Sequence, residues 1–212
     1  MTMAPFKSLL AALLFANLPS LAQTMVGIQA GINWSDLHWT ELRANTYGTG
    51  SAPTAGFVLQ SDLANNLFLV TGLAYSRRMI PWVDLQYLES SSSSVEFRYQ
   101  YTQICASLKR SFDFGEMHPY LIGGAIYDYL ASASLLDSRF GGQTQVIDML
   151  QQWRIDNFAL SGGVGLDYNI SQSVVLFTDL RYSGDVTNMS RNPVIKVHMT
   201  SYQVTGGVLF GL

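Results

Sequence analysis

Three segments of this chain alternate in polarity residue by residue, which confines them to β-strands with two chemically different faces. Over 25–35, Val26, Ile28, Ala30, Ile32 and Trp34 share one face, and Gly27, Gln29, Gly31, Asn33 and Ser35 the other. Segment 202–212 sets Tyr202, Val204, Gly206, Val208, Phe210 and Leu212 against Gln203, Thr205, Gly207, Leu209 and Gly211. Segment 158–168 sets Phe158, Leu160, Gly162, Val164, Leu166 and Tyr168 against Ala159, Ser161, Gly163, Gly165 and Asp167. A period of two with apolar residues on one side is the strand signature. Five further segments follow it less cleanly: 54–62, 67–78, 95–110, 119–131 and 174–183. Within 95–110, Ile104, Ala106 and Leu108 oppose Gln103, Cys105, Ser107 and Lys109, while Phe97, Tyr99 and Tyr101 fit the opposite frame. That change of frame predicts a bulge between the two halves.

Which face meets solvent follows from the scarcity of charge. Charged residues are 13% of the chain, against roughly 25% in ordinary soluble domains, so part of the surface is expected not to face water. No segment of the mature chain reaches the roughly 18 apolar residues of a membrane-spanning helix. Lipid otherwise admits only closed barrels. The net charge of −3 and the lack of any Lys/Arg run leave nucleic acid without an electrostatic footprint. At the N-terminus, Lys7, the apolar stretch 9–18, Pro19 and the small residues of Ser20-Leu21-Ala22 read as a secretory signal peptide. Cleavage is expected before Gln23, leaving 23–212 as one barrel domain.

The connections sort by length. Segments 63–66, 111–118 and 169–173 are short, and 36–53, 79–94, 132–157 and 184–200 are long. Strict alternation of short and long is what an up-and-down membrane barrel predicts, with short periplasmic turns and long external loops. Trp34, Tyr75, Tyr99, Tyr101, Tyr129, Tyr182 and Tyr202 fall near the long-loop ends. Phe112, Phe114, Tyr120, Tyr168 and Phe210 fall near the short turns, so two aromatic girdles are expected. The fold class predicted is all-β: a single closed up-and-down antiparallel transmembrane β-barrel of about eight strands. Its narrow interior would be filled by side chains, with Gly27, Gly31, Gly163, Gly165, Gly207 and Gly211 making room for larger neighbours.

The chain resembles the PorT-like outer-membrane barrel family of Bacteroidota. The residues that carry the resemblance are the runs 27–37 (GIQAGINWSDL), 118–124 (HPYLIGG), 181–188 (RYSGDVTN) and 206–210 (GGVLF). Two features depart from the family: Cys105 stands where its fourth strand usually carries proline, and the chain ends in Leu212 rather than an aromatic, with Phe210 two residues before. The resemblance implies residence in the outer membrane of a Gram-negative bacterium, and an accessory part in a protein secretion system as an alternative role.

The candidate site is a set of inward-facing charges: Lys109, Asp128, Asp167, Asp179 and Arg181. One reading is a polar path; the other, favoured because buried charge must be paired, is a set of lumen ion pairs that plug the barrel, with Arg181 against Asp179 or Asp167 first. Cys105, the single cysteine, excludes an internal disulfide and reads as a buried spectator thiol. His38 and His198 sit in the first and last long loops and His118 in a short turn, without metal-ligand spacing. His38 with Asp36 and Ser35 is the one local candidate for rim catalysis. Val146, Met149, Leu150 and Trp153 suggest a short amphipathic helix, and with the apolar run 79–88 an outer cap, a segment lying on the lipid headgroups or a partner surface. Asn188-Met189-Ser190 matches a glycosylation acceptor and carries no weight in a bacterial chain. The expectation is a non-enzymatic barrel without cofactor or metal, in contact with outer-membrane lipid. Its long loops would bind an extracellular or secretion-system partner or support the envelope. A rim enzyme and a soluble lipocalin-like carrier are the remaining alternatives.

Overall fold

The computed structural model describes residues 24–39, 46–47, 49–83, 95–137, 145–192 and 194–212. The signal segment, cleavage point and residues 84–94 fall outside these. Eight long strands, β1 (Thr24–Trp39), β3 (Gly50–Ala64), β4 (Leu67–Val83), β5 (Val95–Ser111), β6 (Met117–Asp137), β8 (Asp156–Ser171), β9 (Val174–Asp185) and β10 (Val197–Gly211), pair with their sequence neighbours. Two short strands, β2 (Thr46–Tyr47) and β7 (Gln145–Asp148), add to β4 and β6. Every long pairing is antiparallel, and β1 with β10 joins the first strand to the last. The β-sheet therefore closes on itself and leaves no long edge, the condition for crossing hydrocarbon with strands.

The short connections are tight for local reasons. Asn65 and Asn66 join β3 to β4, and Asn66 takes a left-handed backbone conformation at φ 58°, which Asn tolerates better than most residues. Gly115, at φ 75°, does the same between β5 and β6. On the opposite end the wall runs beyond the predicted strands: β4 continues to Val83, and β6 to Asp137. Part of each predicted long loop is thus barrel wall.

The outward face of the lower wall is apolar. Ile28 is 57% exposed, Phe57 64%, Leu73 50%, Leu160 62% and Leu180 50%. So continuous a greasy belt is unsuited to water, and its orientation is the reverse of a lipocalin's, which is apolar inside. Trp34, Tyr75, Tyr129, Tyr182 and Tyr202 rim the belt on one side, and Phe112, Phe114, Tyr168 and Phe210 on the other. Three residues expected in those rims are elsewhere: Tyr99, Tyr101 and Tyr120 are buried inside the barrel.

Their placement corrects the expected break in β5. Phe97, Tyr99, Tyr101, Gln103, Ser107 and Lys109 all point inward in one unbroken frame. What changes is the surroundings. Below the outer rim the outward positions are Ile104, Ala106 and Leu108; above it they are Glu96, Arg98 and Gln100. The wall leaves hydrocarbon there and enters water, so its apolar side moves from outside to inside. A bulge does exist, but opposite: Gln100 pairs Ser132 and Tyr101 pairs Leu130, leaving Ala131 as the extra residue of β6.

The predicted amphipathic helix is also corrected. Residues 145–148 form β7 against the end of β6, followed by a single 3-10 turn over Leu150–Gln152. A segment this short gains little from helix formation, and β6 offers it ready backbone partners.

Inside, close packing depends on missing side chains. A Cβ on Gly165 would lie 2.3 Å from the Tyr120 ring, and one on Gly207 would lie 2.6 Å from the Phe177 ring. Outward Gly162 has nothing nearer than 4.0 Å. Gly165→Val is therefore expected to destabilise the barrel by about 1–3 kcal/mol, the usual range for overpacking, and Gly162→Val by far less; urea unfolding in lipid vesicles measures both.

Candidate functional site: the occluded lumen

Toward the short-turn end the inward residues Val58, Val70, Tyr120, Ile122, Val175, Phe177 and Leu209 pack together, with Met25 against them. Alternation brings charges from different strands in among them. Lys109 of β5 places Nζ 2.5 Å from Asp167 Oδ2 of β8 and donates to Gln60 Oε1 of β3 at 2.9 Å. The same ammonium lies 4.1 Å from the centre of the Tyr120 ring. On β9, Arg181 donates from Nε and Nη2 to both oxygens of Asp179, at 3.0 and 2.7 Å. Asp179 also accepts from Thr205 Oγ1 at 2.6 Å and Tyr120 Oη at 3.4 Å. The space left among these groups is about 10 Å³, room for about one water molecule.

Nearer the outer rim, Asp128 of β6 accepts from Arg78 Nη2 at 2.8 Å and from Gln103 Nε2 at 2.7 Å. Arg78 also stacks over Tyr101, 4.6 Å from its ring centre. Among the described residues the structure thus forms three ion pairs with both partners at most 12% exposed. The five charges singled out in the sequence all take part. Arg78 was not among them, although it sits on the inward frame of β4 with Val70, Gly72, Ala74 and Ser76; that frame, and Asp128 lacking a cation, were the signals for it.

Above the ion pairs lies a second apolar layer of Leu37, Ile80, Phe97, Tyr99, Tyr101, Leu130, Ala133, Trp153, Met189, Val197 and Met199. Two connections close it from outside. Trp153 packs edge-on against Tyr99, with ring centres 5.4 Å apart and planes at 90°. Arg154 N donates to Met189 O at 2.8 Å and Arg191 N to Gln152 O at 3.2 Å, which stitches the β7–β8 connection to the β9–β10 connection. Asn188 shapes the latter by accepting from Ser190 N and Val197 N, at 3.1 and 2.9 Å.

The remaining candidates do not assemble a reactive centre. Ser35 points inward to Ser201 Oγ at 2.8 Å, on the face opposite Asp36 and His38. His38 and His198 lie directly opposite on β1 and β10, yet among the described residues no three metal-ligating side chains gather. Cys105 faces inward but is only half-buried. The third histidine ties the short turns together: His118 Nδ1 lies 3.0 Å from Asp113 Oδ1 and Nε2 lies 2.9 Å from Asn169 Nδ2, while Asn66 Nδ2 donates to Asp113 Oδ2 at 2.9 Å.

The class defined by this architecture is the closed eight-stranded transmembrane β-barrel with a filled lumen. Solved structures of small outer-membrane barrels are similar to it in fold. Neisserial surface protein A is 15% identical, with a TM-score of 0.50 over 88% of this chain and 97% of its own. The outer-membrane protein AlkL, solved in lipid bilayers, is 16% identical at TM-score 0.45 over 88% and 90%. The attachment invasion locus protein Ail of Yersinia pestis is 16% identical at 0.42 over 89% and 99%. At these identities the likeness is one of fold. The sequence matches no known family profile and no curated protein.

Two outcomes follow from the site. Arg181→Ala strands the Asp179 carboxylate in the lumen and is expected to cost about 3–5 kcal/mol, whereas the double change Asp179→Leu with Arg181→Met is expected to cost less, about 1–3 kcal/mol, from the Thr205 hydroxyl that loses its acceptor; denaturant midpoints in vesicles separate the two. In the short β5–β6 turn, the hydrogen bonds from Asn66 and then His118 hold the Asp113 carboxyl below its ordinary range. A depressed carboxyl contributes stability above its unfolded pKa and loses it as pH falls through the folded value. Wild type is thus expected to lose more stability than Asp113→Asn between neutral pH and pH 3, a small difference visible in urea midpoints.

Proposed function

We propose that this chain is a non-enzymatic barrel of the outer membrane of a Gram-negative bacterium, exported behind a signal peptide over 1–22. In this reading lipid surrounds the greasy belt, and the capped outer end presents loops to an extracellular partner or supports the envelope. The filled lumen carries the reading. Among the described residues, two apolar groups of side chains and three ion pairs fill much of the bore, which favours a role exercised by the outer surface. The stitched connections around Trp153 and Met189 support it, since they hold the loop bases in one shape.

A PorT-like role in protein secretion is the second reading, favoured by the segments 27–37, 118–124, 181–188 and 206–210. It predicts that pull-down from envelope extracts recovers secretion-machinery components, and that this is lost when the loop residues 186–196 are replaced. For the main reading, the protein is expected in the outer-membrane fraction, and its gel migration in detergent should shift on boiling, as a folded barrel's does. Recovery in the soluble periplasmic fraction without a shift overturns it.

A further inference from the structure

The belt is not uniform. Around β4 the outward side chains shrink to Thr71, which pairs with Leu59 of β3 on one side and Ala106 of β5 on the other. Larger neighbours stand around them: Phe57, Leu73 and Ile104. Between these walls lies a groove of about 310 Å³ whose lining is almost wholly apolar. Its floor is the sheet itself at Val58, Gly72 and Cys105, residues of the inward frame. Gly72 has no side chain, and Cys105 Sγ lies 2.9 Å from where its Cβ would stand, so the thiol backs the sheet there.

From this geometry we infer that the groove seats one acyl chain of a phospholipid in the periplasmic leaflet. The inference rests on the belt facing hydrocarbon. Depth selects the leaflet: Gly72 pairs with Val58, which pairs with Gly27, three residues from the start of β1 on the short-turn side. Chemistry selects the chain rather than a headgroup, because no charged side chain lines the groove. Burial in a fixed groove gains dispersion contacts that a fluid neighbour does not hold continuously. Thr71 does not alter this, since its hydroxyl is the one polar side-chain group among the outward residues.

The test uses the full barrel refolded in vesicles containing phosphatidylethanolamine with a photoactivatable diazirine on one acyl chain. Crosslinks mapped by peptide mass spectrometry are expected to concentrate on 57–59, 71–73 and 104–106. Ala106→Trp, which fills the groove, should reduce that labelling at least tenfold. Leu176→Trp, on β9 across the barrel, should leave it unchanged. Labelling spread evenly around the belt, or unaffected by Ala106→Trp, overturns the proposal. So does a crosslinked dimer joined through the same residues, which would make a second copy the occupant. Each variant is first checked for the boiling-dependent gel shift. If wild type itself shows no shift and no labelling, the membrane reading has failed; a normal shift with scattered labelling defeats the groove alone.

Discussion

A strand in hydrocarbon has no water to accept its backbone hydrogen bonds, so every N–H and C=O must pair within the protein. Closure of β1 on β10 and of β4 on β5 meets that demand, and the rest of the molecule follows from it. Eight strands fix a bore just wide enough for side chains. The bore must then be filled, and filled without unpaired charge. Glycines beside Tyr120 and Phe177 give the space, and Lys109, Arg181 and Arg78 each find a carboxylate. Such pairs are weak evidence for stability in their own right; here they fill a narrow tube while keeping each charge partnered.

The wall does not stop where the belt stops. Along β5 the same inward frame passes from Lys109 and Ser107 to Tyr101, Tyr99 and Phe97, while the outward residues pass from Leu108 and Ile104 to Arg98 and Glu96. One continuous strand therefore serves two solvents. In the belt its greasy side faces out, and above it the greasy side makes an ordinary protein core. That upper core gives the capping connections something to hold, and Trp153 and Met189 are the residues those connections contribute to it.

Much of this was legible in the sequence. Period two with small or polar partners placed both faces of β1, β8 and β10, and the alternation of connection lengths gave the topology. The five lumen charges were readable because parity alone put them inside. What escaped reading has one common cause: the sequence pattern does not state where the medium changes. Taking apolar to mean outward over the whole of β5 turned Tyr99 and Tyr101 into girdle residues and set a bulge below them and Phe97. Arg78 escaped for the same reason, since it lies at the level where the two regimes meet. Tyr120 was misplaced by proximity to a turn, although its parity with Ile122 and Asp128 pointed inward. The spacing of Val146, Met149, Leu150 and Trp153 matched a helix, but backbone partners on β6 decided otherwise.

The central claim is that the greasy residues of the lower wall touch hydrocarbon and their neighbours do not. Spin labels placed singly at 158–168 along β8, in refolded protein in lipid vesicles, test it most directly. Collision with lipid-soluble oxygen should rise at 158, 160, 162, 164 and 166 and fall at the positions between, with little access for a water-soluble nickel complex at either set. Equal accessibility at all positions, or nickel access greatest at the even ones, would contradict the account.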